Sequence, residues 1–300
     1  MNEIEANERK LKLELRLAQL NKIDKCKDSF LPFVKSMWTE FIVGKHHRII
    51  AEKLEKIATG ELKRLIINMP PRHTKSEFAS FLFPAWMIGR KPNMKIIQAT
   101  HTTELAVNFG RKTKNLMERD EYLEIFPEAK LSADSKAAGR WSTNKSGEYF
   151  AIGVGGAVTG KGADLLIIDD PHSEQEGQSG DPSVFDRTYD WYTSGPRQRL
   201  QPGGIIIIVM TRWSTKDLVG KVLKKQGDDH ADQWDVVEFP AIMPESETPL
   251  WPEFWSGSEL DALKAELPVA KWNAQYQQDP TSEEGALIKR EWWQEWDKKD

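Results

Sequence analysis

The sequence predicts an α/β protein, a mostly parallel sheet with helices on both faces. Two observations carry that expectation. Strand-like runs at 64–69, 94–99, 148–154, 164–169 and 204–210 alternate with helical runs at 75–89, 103–119, 183–193 and 215–225. Such alternation builds parallel sheets through crossover helices. The runs "LLII" at 165–168 and "IIIIV" at 205–209 are apolar at consecutive positions, which suits central strands buried on both sides.

The flanking elements follow from pattern as well. Residues 1–27 are charged, with Leu13, Leu17 and Leu20 on one helical face, so a solvated helix with one docking stripe is expected. Residues 45–58, "KHHRIIAEKLEKIA", form a second amphipathic helix closed by Gly60. After about residue 226 the alternation degrades. "MPESETPLWPEFWSGSE" reads as loop, and 258–275 turns helical again.

Composition excludes several classes. The chain of 300 residues is 39% apolar and 29% charged, in the range of globular proteins. Its longest apolar run, Ile205 to Met210, is far short of the roughly 20 residues of a membrane span. "MNEIEANERK" has no apolar core and is no secretory signal. Cys26 is the only cysteine, so no internal disulfide or cysteine zinc cluster forms, and a reducing compartment is expected. The net charge of −4, from 42 Lys+Arg against 46 Asp+Glu, leaves no chain-wide basic coat. Any DNA contact must be local or shared with other subunits. Trp251, Trp255, Trp272, Trp292, Trp293 and Trp296 crowd the C-terminal end, where such rings are expected to bury against something.

Four segments carry chemistry. The first is "RLIINMPPRHTKSEFAS", an apolar strand, a Pro-Pro turn, Lys75-Ser76 and a helix. This is the layout of a phosphate loop, which turns backbone N–H groups inward at a helix N-terminus. A Lys then reaches the β and γ phosphates and a hydroxyl holds Mg²⁺. Both glycines of G-x-x-x-x-G-K-[ST] are missing, replaced by Met69 and Thr74. Pro70-Pro71 can fix the turn instead. The expected phosphate contacts are Pro71, Arg72, His73, Thr74, Lys75, Ser76 and Glu77, with the Arg72 cation touching or sensing the γ phosphate. The competing reading is a basic loop before an ordinary helix.

The second segment, "ADLLIIDDPHS", is an apolar strand ending in Asp169-Asp170. Two carboxylates there have the form of a Walker B element. The first acid, Asp169, would hold Mg²⁺, and the second, Asp170, would orient or deprotonate the attacking water. Asp170 is one methylene shorter than the usual Glu, and Glu174 is the fallback. The third, "GIIIIVMTRWSTKDL", brings Thr211 and Arg212 to the end of another buried strand. Open parallel sheets bind ligands outside those carboxyl ends, where either residue could sense the γ phosphate. The fourth, "GVGGAVTGKGAD", holds Gly153, Gly155, Gly156, Gly160 and Gly162 around Lys161. In a ring, Lys161 could offer its charge to a neighbour's nucleotide as an arginine finger does; Arg111 and Arg140 are rivals, and a flexible turn with a solvated Lys is the plainer alternative.

Taken in order, "HHRIIAEKLEKI", "LIINMPPRHTKSE", "FPAWMIGRKP", "GVGGAVTGKGADLLIIDDP", "MTRWSTKDLVGKVL" and "WNAQYQQDP" resemble the ATPase portion of tailed-phage terminase large subunits, over roughly residues 30–296. The resemblance implies a P-loop NTPase of the additional-strand, RecA-like type with a small C-terminal lid and linker region, ATP and Mg²⁺ as cofactors, and hydrolysis that drives double-stranded DNA into a procapsid. It implies a homo-oligomeric ring, a pentamer, at the portal protein, with a monomer in solution also open. The small terminase subunit would be a partner, the host cytoplasm the location, and no membrane is involved. By that resemblance Lys75 and Ser76 match the Walker A Lys and hydroxyl, Arg72 its basic residue, Asp169 the Walker B Asp, Asp170 the catalytic acid and Thr211 the coupling motif. The stretch from Phe33 to His47 corresponds to the adenine-contacting region, and Thr159 and Lys161 lie near the place of the finger.

Three parts are expected: 1–60, an N-terminal helical region flanking the adenine side; 61–225, the ATPase core; and 226–300, a lid and a linker toward a nuclease domain absent from this chain. Relatives continue into an RNase H-like nuclease where this chain ends at Asp300, so ATP hydrolysis without DNA cleavage is expected, with the Trp-rich tail partly exposed. A helicase-like translocase is the alternative enzyme, but its second RecA-like domain has no room here. A non-hydrolysing assembly adaptor is the alternative outside enzymes.

Overall fold

The computed structural model describes residues 3–135, 137–179 and 181–280. Three helices lead the chain: α1 (Glu3–Asp28), α2 (Phe30–Met37) and α3 (Lys45–Thr59). Strand β1 (Arg64–Asn68) enters a helical stretch whose first part, Glu77–Leu82, is a π-helix and whose second part is α4 (Phe83–Arg90). There follow β2 (Lys95–Thr100), α5 (Thr103–Met117), α6 (Asp120–Ile125), β3 (Arg140–Ser142), β4 (Glu148–Gly153) and β5 (Ala163–Asp169). Then come α7 (Glu174–Gln178), α8 (Ser183–Ser194), β6 (Leu200–Met210), α9 (Leu218–Lys225), β7 (Asp235–Glu238), α10 (Gly257–Glu266) and α11 (Val269–Gln275).

Among the described residues the strands form one sheet in the order β3-β4-β2-β5-β6-β1-β7. Every neighbouring pair is parallel except the short edge pair β3–β4. The expected α/β architecture is present, and its helices cover both faces. Alternate residues of the central strands explain this. Leu65, Ile67, Leu165, Ile167, Ile207 and Val209 join the core beneath α2 to α5. Ile66, Leu166, Ile168, Ile206 and Ile208 join a second core with Tyr192, Leu218 and Val222 of α8 and α9. Strands apolar at every position are required for that two-sided burial.

The N-terminal helices α2 and α3 are part of the main core, through Phe30, Phe33, Val34, Ile50, Leu54 and Ile57. Helix α3 stops at Gly60, whose φ of 85° is left-handed, the usual end of a helix. Along α1, Leu13, Leu17 and Leu20 are exposed, as are Leu11 and Leu15; the helix meets the body near Cys26, which is buried. The sheet also runs past residue 225, since β7 pairs with β1. Its four residues lie where sequence alternation had faded. Beyond β7 a small cluster of Ala241, Leu260 and Trp272 packs with Trp255 and Tyr276. Trp251 and Trp272 are buried as expected; Trp292, Trp293 and Trp296 lie outside the described residues. No described helix is long and apolar enough to cross a membrane.

The π-helix has a local cause. Pro84 follows it in the first turn of α4, and a proline lacks the N–H and crowds the carbonyl four residues back. The preceding turn widens, so Phe83 N–H donates to Phe78 rather than to the nearer carbonyl.

Candidate active site

Strand β6 lies between β5 and β1, in register Asn68↔Met210 and Asp169↔Val209. The carboxyl ends of three strands therefore meet at one edge. Ser76 Oγ donates to Asp169 Oδ1 at 2.9 Å. Lys75 Nζ lies 2.9 Å from Asp170 Oδ2. The backbone N–H of Thr211 donates to Asp170 Oδ1 at 2.8 Å, and its hydroxyl donates to the Met69 carbonyl at 3.1 Å. Lys75, Ser76, Asp169, Asp170 and Thr211, expected together from sequence, are together.

The loop between β1 and the π-helix is bent hard. Arg72 and Thr74 have φ of 62° and 68°, and Asp170 has 40°. Left-handed backbone costs a residue with a side chain about 1–2 kcal/mol, and such strain gathers at functional sites. Thr74, at the position of the missing second glycine, adopts the conformation that glycine would take freely.

Three buried histidines brace this bend. Gly44 N–H donates to His47 Nδ1 at 2.9 Å, so the ring proton is on Nε2, which donates to Thr74 Oγ1 at 2.6 Å. The Thr74 hydroxyl in turn donates to the His73 carbonyl at 2.6 Å. His73 Nδ1 bonds the Pro71 carbonyl at 2.8 Å. His46 and His47 lie 3.8 Å apart between ring centroids, and Trp251 packs on both. All three imidazoles are fully buried. Burial first, then neighbouring His73, holds His46 down at about 3. Burial, then His46 and His73, holds His47 at about 2. Burial holds His73 at about 4, with Lys75 helping to depress it against the Pro71 carbonyl. At neutral pH the three are uncharged. Sequence reasoning did not single them out as braces; the one signal was "HH" on the face of α3 that also buries Ile50 and Leu54.

A cleft of about 600 Å³ opens at the loop. The loop supplies Arg72, Thr74, Lys75, Ser76 and Glu77 to its lining, the α2–α3 connection supplies Trp38, Phe41 and Ile42, and the segment after β7 supplies Trp251, Phe254 and Trp255. The sequence marks this segment as a loop and Trp251 and Trp255 as rings that bury, but not as the lining of this cleft. Arg72 is exposed, and Glu77 pairs with Lys112 at 2.7 Å.

Other expected residues lie elsewhere. Arg212 is buried, with Nε 3.0 Å from the buried Asp217 carboxylate and NH2 donating to the Ser214 carbonyl; its charge is spent there. Glu174 is exposed and bonds Lys271 and Gln178. Lys161 pairs with Glu148 at 3.0 Å. Glu148 starts β4 and Lys161 precedes β5, so both lie at the opposite end of the sheet from Asp169. Within one chain Lys161 does not approach the loop. Arg111 and Arg140 are exposed, on α5 and β3.

The donor set fits a hard divalent cation, which prefers oxygen ligands. Asp169 Oδ2 is buried with no hydrogen-bond partner, beside the Ser76 hydroxyl. Burial and the adjacent Asp170 charge push the Asp169 carboxyl up, and a bound cation would reverse that penalty.

This strand order, with β6 inserted between the strand before the loop and the strand ending in Asp169, is that of a RecA-like α/β fold of the additional-strand kind. Comparison with solved structures places it further. The chain has the fold of phage large terminase ATPase domains. It superposes on an alanine variant of the large terminase ATPase domain of Thermus phage P74-26 with a TM-score of 0.53 at 12% identity, covering 83% of this chain and 98% of that one. It superposes on the large terminase of bacteriophage HK97 with a TM-score of 0.51 at 12% identity, covering 80% of this chain and 51% of that one. The chain thus spans about half of the HK97 protein. No protein-family model matches the sequence, and no curated protein matches it.

Proposed function

We propose that this chain is the ATPase of a phage DNA-packaging motor, hydrolysing ATP with Mg²⁺ to move double-stranded DNA. One observation carries the reading: Lys75 and Ser76 line a cleft rich in aromatic rings and are in contact with Asp170 and Asp169. Those residues fit the phosphate end of a nucleotide, and the rings of Trp38, Phe41, Phe254 and Trp255 fit its base.

Each group then has a task. The N–H groups of the loop from Arg72 to Ser76 and the Lys75 ammonium hold phosphate oxygens, with Arg72 at the exposed rim. Ser76 and Asp169 hold Mg²⁺, which neutralises phosphate charge when bound. Asp170 accepts a proton from the attacking water while the Thr211 amide fixes its carboxylate. Because Thr211 also bonds Met69, a shift at Asp170 is transmitted to both flanking strands. Asp170 and Lys75 are paired in this structure, so entry of phosphates must separate them.

The partners follow from the packaging role: DNA, portal protein and small terminase subunit, in a ring on the procapsid in the host cytoplasm. Any cation from Lys161, Arg111 or Arg140 acts on a neighbouring copy. The segment after β7 serves as a lid over the 61–225 core, and residues 1–60 flank the base. Phosphate release from MgATP, with and without linear duplex DNA and over a series of protein concentrations, tests this. Turnover that rises with concentration and vanishes in Lys75→Ala supports the motor; a wild type with no turnover in any condition would favour a non-hydrolysing adaptor.

A further inference from the structure

We propose that His47 is the positioning residue that locks the phosphate loop, doing through a hydrogen bond what glycine does elsewhere through its missing side chain. The proposal rests on the nucleotide-site reading for its consequence, but not for its geometry.

The residue before the loop lysine is Thr74, a β-branched side chain at φ 68°. β-branched residues are the least suited to that region. Nothing in the loop's own sequence favours it. What holds it is a directed chain of hydrogen bonds from another element: Gly44 N–H to His47 Nδ1, His47 Nε2–H to Thr74 Oγ1, and Thr74 O–H to the His73 carbonyl. Each donor has one acceptor, so the tautomer of His47 and the rotamer of Thr74 are both fixed.

The anchor itself is rigid. His47 has no exposed surface and is held by Phe41 at 4.7 Å and by Phe78, stacked at 4.9 Å. Gly44 cannot carry a side chain, because a Cβ there would lie 2.8 Å from both the His46 and Trp251 rings. The α2–α3 connection is therefore pressed against His46 and Trp251, and both of those rings pack on His47. Thr74 also accepts the N–H of Phe78 on its carbonyl, the bond that starts the following helix. Releasing Thr74 Oγ1 would let φ relax toward the β region, turning the Lys75 and Ser76 amides away from the cleft.

The test is a double-mutant cycle on purified protein, reading MgADP affinity by tryptophan quenching and unfolding midpoint without nucleotide. His47→Phe keeps a flat ring but cannot bond Thr74. In the chain with Thr74 it should weaken MgADP by about tenfold, as expected for one lost buried hydrogen bond plus strain. In a Thr74→Gly parent the same change should cost less than about twofold relative to that parent. His47→Gln, whose amide can accept from Gly44 and donate to Thr74, should recover most of the loss. Thr74→Val, which keeps the branch and loses the hydroxyl, should match His47→Phe. Equal losses in the two parents, in affinity and in midpoint, would reduce His47 to a packing residue and overturn the lock. If wild type binds no nucleotide while the midpoints couple, the nucleotide reading fails and the lock stands.

Discussion

Lys75 Nζ and Asp170 Oδ2 are 2.9 Å apart, so the cation expected to hold phosphate is paired with the carboxylate expected to activate water. The pair links the loop after β1 to the tip of β5, across the end of β6. It keeps the buried ammonium compensated, since Lys75 is only 7% exposed. A nucleotide must compete with Asp170 for Lys75.

That competition gives opposite effects on binding and on chemistry. Asp170→Asn keeps the shape and removes the charge. MgATP affinity should hold or rise, because Lys75 is freed. The single-turnover hydrolysis rate should fall by about 10²–10⁴, the usual worth of a general base. A variant that hydrolyses at the wild-type rate would remove Asp170 from the chemistry.

Acid should weaken the fold through the histidine brace. His46, His47 and His73 drop from the ordinary 6.5 to about 3, 2 and 4. Below pH 6.5 the unfolded chain binds protons that the folded chain refuses, down to about pH 4 for His73 and lower for the others. Stability therefore falls as pH falls through that window, by up to about 1.4 kcal/mol per pH unit for each site. Lys75 is the charged group that acts on His73, and it opposes protonation there. Urea midpoints at pH 7 and pH 5 check this, and equal midpoints would contradict it.

Arg212 should matter for folding and not for nucleotide. Asp217 is fully buried and accepts from Arg212 Nε and from the N–H groups of Trp213, Ser214 and Gly220. Asp217→Ala leaves the Arg212 charge only the longer, 3.8 Å contact with Glu238 and should cost about 3–5 kcal/mol in urea unfolding. Arg212→Met should leave the MgADP affinity of the folded protein unchanged; a large loss would show that Arg212 reaches the phosphates.

Much of this was legible in the sequence because it is written in period and order. The buried strands announced themselves through consecutive apolar residues, and Lys75-Ser76, Asp169-Asp170 and Thr211 each ended or followed one. β7 escaped because its four residues carry only Val236 and Val237 as apolar signal. The brace escaped for another reason. His47 meets Thr74 across 27 positions, and no local pattern encodes a contact between separate elements. Trp251, Phe254 and Trp255 were visible as aromatic, but a loop's sequence does not say which cleft it lines. Arg212 and Lys161 were visible as cations, and only their partners, Asp217 and Glu148, show where their charge goes.

The most direct measurement is calorimetric titration of MgADP into wild type and Lys75→Ala. One site per chain is expected in wild type, with affinity weaker by about tenfold or more in the variant, for loss of a charge-assisted phosphate contact. No heat of binding to wild type at millimolar nucleotide, or equal affinity in the two proteins, would contradict it.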